Sequence, residues 1–198
     1  MKKIIQNTTS QPQTKKELRA LIRAEMTHHG YRCDLNHIDI SLITDFYYFF
    51  RNSNFDGNIS KWDVSSVTAM YIMFSESTLN GDISKWDISK WNISAVIYMG
   101  CMLHGSKFNR KLSGWDVSSA TDMGSMFRES EFNGDVSNWN RSSVSKDEYM
   151  FLGSNVAKKI GALSPSFEQV KNHCLSLRLE ADPQEVSLKQ PKKSKVRL

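Results

Sequence analysis

Cysteine is scarce in this chain. Cys33, Cys101 and Cys174 are three residues in 198, too few and too scattered for a disulfide framework. A reducing, cytoplasmic setting is the expectation. Long hydrophobic runs are absent, and nothing approaches the roughly 18 apolar residues of a membrane span, so no membrane insertion is expected. The opening MKKIIQNTTSQPQTKK brings lysines but no apolar h-region after them, which is a poor secretory signal. Catalytic signatures are missing too. His28, His29, His37, His104 and His173 show no H-E-x-x-H spacing, and there is no Gly-rich phosphate loop and no G-x-S-x-G elbow. The Cys33/His37 pair reads as packing. No catalytic residue, no metal and no cofactor are expected.

What is present suits a folded chain. Hydrophobic residues are 39% and charged residues 24% of the sequence, which argues against global disorder. The formal net charge of +5 suggests nucleic acid until its location is traced. Residues 1–37 carry seven basic and three acidic groups, residues 38–163 twelve and fourteen, and residues 164–198 seven and four. The middle is mildly acidic and the excess sits at the ends. Lys192, Lys193, Lys195 and Arg197 belong to a tail that reads as a solvated end, or as a source of non-specific attraction to anionic polymers or surfaces. Nucleic acid is therefore the weakest of the partner classes.

Internal repetition dominates the rest. FDGNISKWDVSSVTAMYIMF starts at Phe55 and returns from Leu79, Phe108 and Phe132. Trp62, Trp86, Trp91, Trp115 and Trp139 are spaced by 24, 5, 24 and 24. Asp39 to Phe50 aligns with Asp63 to Phe74 one period earlier, and beyond Phe151 the pattern decays, with Val156, Ile160 and Leu163 standing in for Phe132, Val136 and Trp139. The step of 5 reflects a local duplication, SKWDISKWNIS, which implies a bulge: either a tolerated insertion or a protrusion that meets a partner.

Within one unit the apolar positions are Ile59, Trp62, Val64, Val67, Met70, Met73 and Phe74. The alternation at Trp62 and Val64 predicts a short half-buried strand. The spacing of Val67, Met70, Met73 and Phe74 predicts one or two helical turns, capped by Ser65, Ser66 or Thr68. Asn-Gly-Asp predicts a turn with glycine at positive φ. One unit cannot cover its own apolar edge, so the units should stack and the ends should be capped. Thr14-Lys-Lys-Glu17 is a capping box opening a helix with Leu18, Leu21, Ile22 and Met26 on one face and a stop at Gly30. Ser164-Pro165 precedes a second stripe, Phe167, Val170, Cys174 and Leu177. The expected fold is an α/β solenoid, a short LRR-like right-handed superhelix with parallel short strands, short helices and helical caps at both ends. Its expected organisation is a flexible N-terminus over 1–13, a cap over 14–37, about five 24-residue coils over 38–163, a cap over 164–180 and a basic disordered tail over 181–198.

The repeated F-N-G-D-I-S-x-W-D-V-S-S-V-T-x-M-x-x-M-F resembles the repeat of the BspA-like leucine-rich-repeat surface protein family, over roughly residues 38–151. The resemblance implies a non-catalytic solenoid used in adhesion or protein binding, often on bacterial surfaces.

Two surfaces are candidates for function. With Trp62 and Val64 inward, Lys61 and Asp63 face outward, and stacking places Asp39, Asp63, Asp87, Asp116 and Asn140 in one ladder. Lys85 joins it, and Lys90 and Asn92 mark the bulge. Three readings stay open for these carboxylates: caps of turns inside each coil, an acidic strip that receives Lys or Arg of a partner, or calcium ligands, although the RTX pattern is absent. Tyr47, Tyr48 and Tyr71 flank the predicted core positions and could form a binding rim. The tryptophans read as core and not as a base-stacking platform. The function expected is protein binding without chemistry, by a protein that sequesters or inhibits a protein partner inside the cell. The alternatives are an adhesin-like cell-surface protein and a nucleic-acid-associated protein acting through its tail.

Overall fold

The structure, a computed structural model, describes residues 10–77 and 91–181. Its helices are α1, Lys15–His29; α2, Asn155–Ile160; and α3, Phe167–Ala181. At the start of α1, Thr14 Oγ1 accepts from the Glu17 N–H at 3.2 Å, while the Glu17 carboxylate accepts from the Gln13 N–H at 2.8 Å. One amide that the helix start leaves unpaired, that of Glu17, is thus satisfied, and the amide just before the cap is held as well. Gly30, at φ 78°, ends the helix. Leu18 and Ile22 are its buried residues. Helix α3 opens on a reciprocal pair: Ser166 Oγ accepts from the Gln169 N–H, and Gln169 Oε1 accepts from the Ser166 N–H. Phe167, Val170 and Cys174 are buried, but Leu177 is exposed. Helix α2 lies where the repeat decays. Val156 is buried there, whereas Leu163 is 77% exposed and fills no core slot.

The chain between α1 and α2 does not form the expected α/β solenoid. Among the described residues there is no extended strand, no sheet and no helix within a coil. Successive coils meet through single parallel bridges, Asp45–Ala69, Ala69–Tyr98, Tyr98–Asp122 and Asp122–Lys146. The reason lies in where the backbone hydrogen bonds go. Around the supposed strand they are spent locally: Trp62 N–H donates to Ile59 C=O at 3.1 Å, Val67 N–H to Val64 C=O at 2.9 Å, and Ser65 N–H to Asp63 Oδ1 at 3.0 Å. An alternation of two residues cannot hold a strand against three local turns.

The supposed helix carries the inter-coil ladder instead. Phe46, Tyr48, Phe50 and Asn52 donate their N–H groups to the carbonyls of Ala69, Tyr71, Met73 and Ser75 at 2.8–3.1 Å. Met70, Ile72, Phe74 and Glu76 do the same to Tyr98, Gly100, Met102 and His104. Between these bonds the chain turns on itself, Met73 N–H to Met70 C=O and Ser77 N–H to Phe74 C=O. The third residue of each turn has positive φ, 57° at Ile72 and 53° at Glu76, as type II turns require. The same two positions have positive φ in the neighbouring coils, at Tyr48, Cys101, Ser125 and Tyr149 and at Asn52, Gly105, Glu129 and Gly153. A helix cannot pass through such residues.

The core lies inside this stack. Phe50 and Phe74 stack at 5.6 Å and 4°, Phe127 and Phe151 at 5.6 Å and 8°, and Trp115 and Trp139 at 6.4 Å and 10°. Trp62 and Trp139 donate their indole N–H to the carbonyls of Leu35 and Leu112, at 3.0 and 2.9 Å. The expected glycine conformation in the Asn/Asp-Gly turn is also corrected. Gly57 is not at positive φ; a Cβ there would lie 1.9 Å from the Cys33 carbonyl oxygen of the preceding coil. Close approach of the coils, and not turn handedness, demands glycine.

The bridge step is 29 residues from Ala69 to Tyr98 and 24 at the other three. Phe50 meets Trp62 at 6.1 Å, Phe127 meets Trp139 at 6.1 Å, and Phe74 meets Trp91 at 6.3 Å. Trp91 therefore takes a core slot like those of Trp62 and Trp139. Trp86 and the expected bulge lie outside the described residues.

Candidate functional site

The first candidate surface follows the column Asp39, Asp63, Asn92, Asp116 and Asn140. Each side chain folds back on its own coil. Asp39 accepts from Ser41 N–H, Asp63 from Ser65 and Asp116 from Ser118, all at 3.0 Å; Asn92 accepts from Ser94 at 3.2 Å and Asn140 from Ser142 at 3.1 Å. These are Asx turns. The serine two residues on holds each carboxyl below its ordinary value. At Asp63 and Asp116 the hydroxyl acts most, and at Asp39 the backbone N–H. The second carboxylate oxygen of Asp39 accepts from Gln11 Nε2 at 2.8 Å. Lys61 is exposed, and its N–H donates to Asn36 Oδ1 at 2.8 Å. The column thus has a structural task in every coil. Lys85, Asp87 and Lys90 lie outside the described residues, as do Lys192, Lys193, Lys195 and Arg197.

The second surface lies along the inter-coil ladder. The bridge column reads Asp45, Ala69, Tyr98, Asp122 and Lys146. Two residues on, the chain reads Tyr47, Tyr71, Gly100, Gly124 and Glu148. Small and large side chains alternate here while the flanking core positions stay apolar. A groove of about 450 Å³ results, lined by Tyr47, Ala69, Tyr71, Tyr98 and Asp122. Ala69 forms the floor between rings from three coils. Tyr47 and Tyr71 stack at 5.1 Å and 13°, and Tyr48 packs edge-on against Tyr47 at 4.3 Å. Tyr47 and Tyr98 are 40% and 52% exposed. The turns that hold these rings have fixed backbone bonds to both neighbouring coils, so the aromatic row is displayed on a firm edge.

Two phenols of this row, Tyr47 and Tyr71, are pushed further from ionisation. The hydrogen bond with Tyr48, then burial, pushes the Tyr47 hydroxyl up to about 12. Burial, then Cys101, raises Tyr71. Burial likewise raises the thiols of Cys33, Cys101 and Cys174, which keeps them as weakly nucleophilic thiols at neutral pH. Among the described residues no group of three or more His, Cys, Asp or Glu is placed to hold a metal ion. No helix among them is long and apolar enough to cross a membrane.

Tyr98 and Asp122 belong to the groove but escape a reading of the spacing alone. The signal that reaches them is variation inside the repeat: one column changes from Asp to Ala to Tyr to Asp to Lys, while the position after it holds Phe46, Met70, Met99 and Met123 in the first four coils. A second cavity, about 310 Å³, lies under α3 beside Lys111, Asp135, His173 and Arg178. Two of these groups engage each other, with Arg178 paired to Asp135 and also bonded to Asn138 Oδ1.

No curated protein and no solved structure matches the chain. A family described as "Mycoplasma protein of unknown function, DUF285" matches twice in tandem, over residues 23–90 and 87–172. The two matches meet at the Ser-Lys-Trp duplication and together take in the whole stack of coils. The chain belongs to this DUF285 family.

Proposed function

We propose that the protein binds another protein without performing chemistry, and that the tyrosine row is its contact surface. The observation that carries this reading is the set of exposed rings, Tyr47, Tyr48 and Tyr98, held on a hydrogen-bonded coil edge around a groove. Tyrosine gives a large contact area at small conformational cost and is enriched at interface hot spots. The partner is sequestered or inhibited by occupation of its own surface. The Asp39 column plays the lesser part, because its carboxylates serve Asx turns. Display at the cell surface is a second reading, favoured by the resemblance of the repeats to the BspA-like proteins. Fractionation with protease shaving of intact cells separates the two settings.

The test uses the full chain as bait in affinity capture from the source cell, beside Tyr47→Ala with Tyr98→Ala. A protein retained by the native chain and lost with the double variant, at unchanged circular dichroism, supports the reading. Equal retention by both baits overturns it. A parallel capture with Asp63→Lys and Asp116→Lys assigns the binding to one face or the other.

A further inference from the structure

Two of the protein's own cations already sit over rings of the tyrosine row, and a third over the neighbouring Phe49. Lys15 Nζ lies 5.9 Å from the Tyr47 centroid, the Arg19 guanidinium 5.2 Å from Phe49, and the Arg51 guanidinium 5.5 Å from Tyr48. Lys15 shows the full arrangement, because the same ammonium pairs with Asp45 Oδ2 at 3.1 Å and with the Tyr47 carbonyl at 2.6 Å. A tyrosine ring and a carboxylate of the row together hold one cation. The ring face carries the negative end of the aromatic quadrupole, and the carboxylate supplies full charge.

The groove, which Tyr47 also lines, offers the same kinds of group further along the row. Tyr71 and Tyr98 bring rings, Ala69 leaves room between them, and Asp122 brings the carboxylate. Asp122 Oδ1 accepts from the Gly124 N–H at 3.1 Å. Its Oδ2 has no hydrogen-bond or ion-pair partner among the described residues, and no lysine or arginine among them lies over Tyr71 or Tyr98. An anion would meet repulsion from Asp122 and from the ring faces. A purely apolar group would cover Asp122 and leave its charge unsolvated.

We propose that the Tyr71–Tyr98–Asp122 groove receives a lysine or arginine side chain of the protein partner, as the Tyr47–Asp45 pair holds Lys15. This rests on the reading of the row as a protein-binding surface and names the chemistry of what docks there. A basic segment entering the groove places its ammonium or guanidinium against Asp122 and stacks its stem on Tyr98.

The experiment is a titration of the full chain, labelled at its tyrosine rings, followed by NMR. The probes are N-acetyl-arginine amide, N-acetyl-lysine amide, the neutral isostere N-acetyl-citrulline amide, and methyl glucoside as a neutral ring-stacking ligand. The expected result is a shift of the Tyr71 and Tyr98 resonances with the two cations, fading as salt rises, and none with citrulline or glucoside. Asp122→Asn keeps the acceptor for Gly124 and removes the charge; it and Tyr98→Ala should each weaken the response roughly tenfold. Equal shifts with citrulline or glucoside overturn the proposal, as does silence with all four probes or a response unchanged in Asp122→Asn. If the probes fail while a captured partner is still lost with Tyr98→Ala, the cation assignment falls and the protein-binding reading stands. If arginine binds but no protein depends on the row, the binding reading falls and the cation site stands.

Discussion

Asp39, Asp63 and Asp116 do the same work as Asn92 and Asn140, accepting from the serine N–H two residues on. The turn itself needs an oxygen and not a charge. The charge adds a dependence on pH whose sign is set by the lowered carboxyl values. A carboxyl lowered by folding stabilises the native state above its unfolded value, near pH 4. That stabilisation is lost as pH falls through the lower folded value. The native chain should therefore lose melting temperature steadily from about pH 5 downward. The triple variant Asp39→Asn, Asp63→Asn and Asp116→Asn should melt nearly as the native chain does at pH 7 and fall less steeply in acid. A pair of melting curves against pH checks this, and parallel acid limbs would count against it. At the same residue scale, the sequence shows the alternation of Asp63 between Trp62 and Val64, but not that its oxygen reaches back to Ser65. That hydrogen bond replaces strand with turn.

The repeated element is a pair of turns with positive φ followed by an aromatic slot. Its apolar register was readable from the spacing, since Ile59, Trp62, Val64, Val67, Met70, Met73 and Phe74 are all buried. Its backbone was not, because a run of i, i+3, i+4 apolar positions suits a helix and consecutive turns equally well. Tryptophan at the slot has two duties, filling volume and donating to the preceding coil. Trp62 and Trp139 perform both, while Trp91 Nε1 is buried without a hydrogen-bond partner among the described residues. Replacement by phenylalanine should thus cost about 1 kcal/mol more at Trp62 or Trp139 than at Trp91. Urea unfolding of the three single variants measures the difference, and a larger cost at Trp91 would refute the assignment of the slot.

For the whole molecule, stacked coils need ends. Helix α3 closes one end with few anchors: Phe167, Val170 and Cys174 are buried, but Leu175, Leu177 and Leu179 are exposed. Polar ties add to these: the Arg178–Asp135 ion pair, the Arg178 bond to Asn138 Oδ1, and the Arg141 guanidinium 4.1 Å over the Phe167 ring. Burial alone would raise Asp135, yet the Ser137 hydrogen bonds and Arg178 together bring it below its ordinary value. Arg178→Ala should cost about 1 kcal/mol. It should remove hydrogen-exchange protection from α3 before that of the Phe127 and Phe151 coils. Uniform loss across the chain would mean that the end and the stack unfold as one unit. The net charge of +5 is also a property of parts: the coils between the ends are mildly acidic, and the groove at Tyr98 presents a carboxylate.

The sequence by itself determined the period, the core residues of the regular coils, the start and stop of α1 and the surplus of five residues near Trp91. All of these depend on side-chain type and spacing along the chain, and both are visible there. The tertiary structure alone decided between strand and turn, because that choice depends on which carbonyl each amide finds, and half of those carbonyls belong to the neighbouring coil. It also decided the groove along the tyrosine row. Tyr47, Tyr71, Tyr98 and Asp122 come from four coils, and only the bridges from Asp45 through Ala69 and Tyr98 to Asp122 set them side by side.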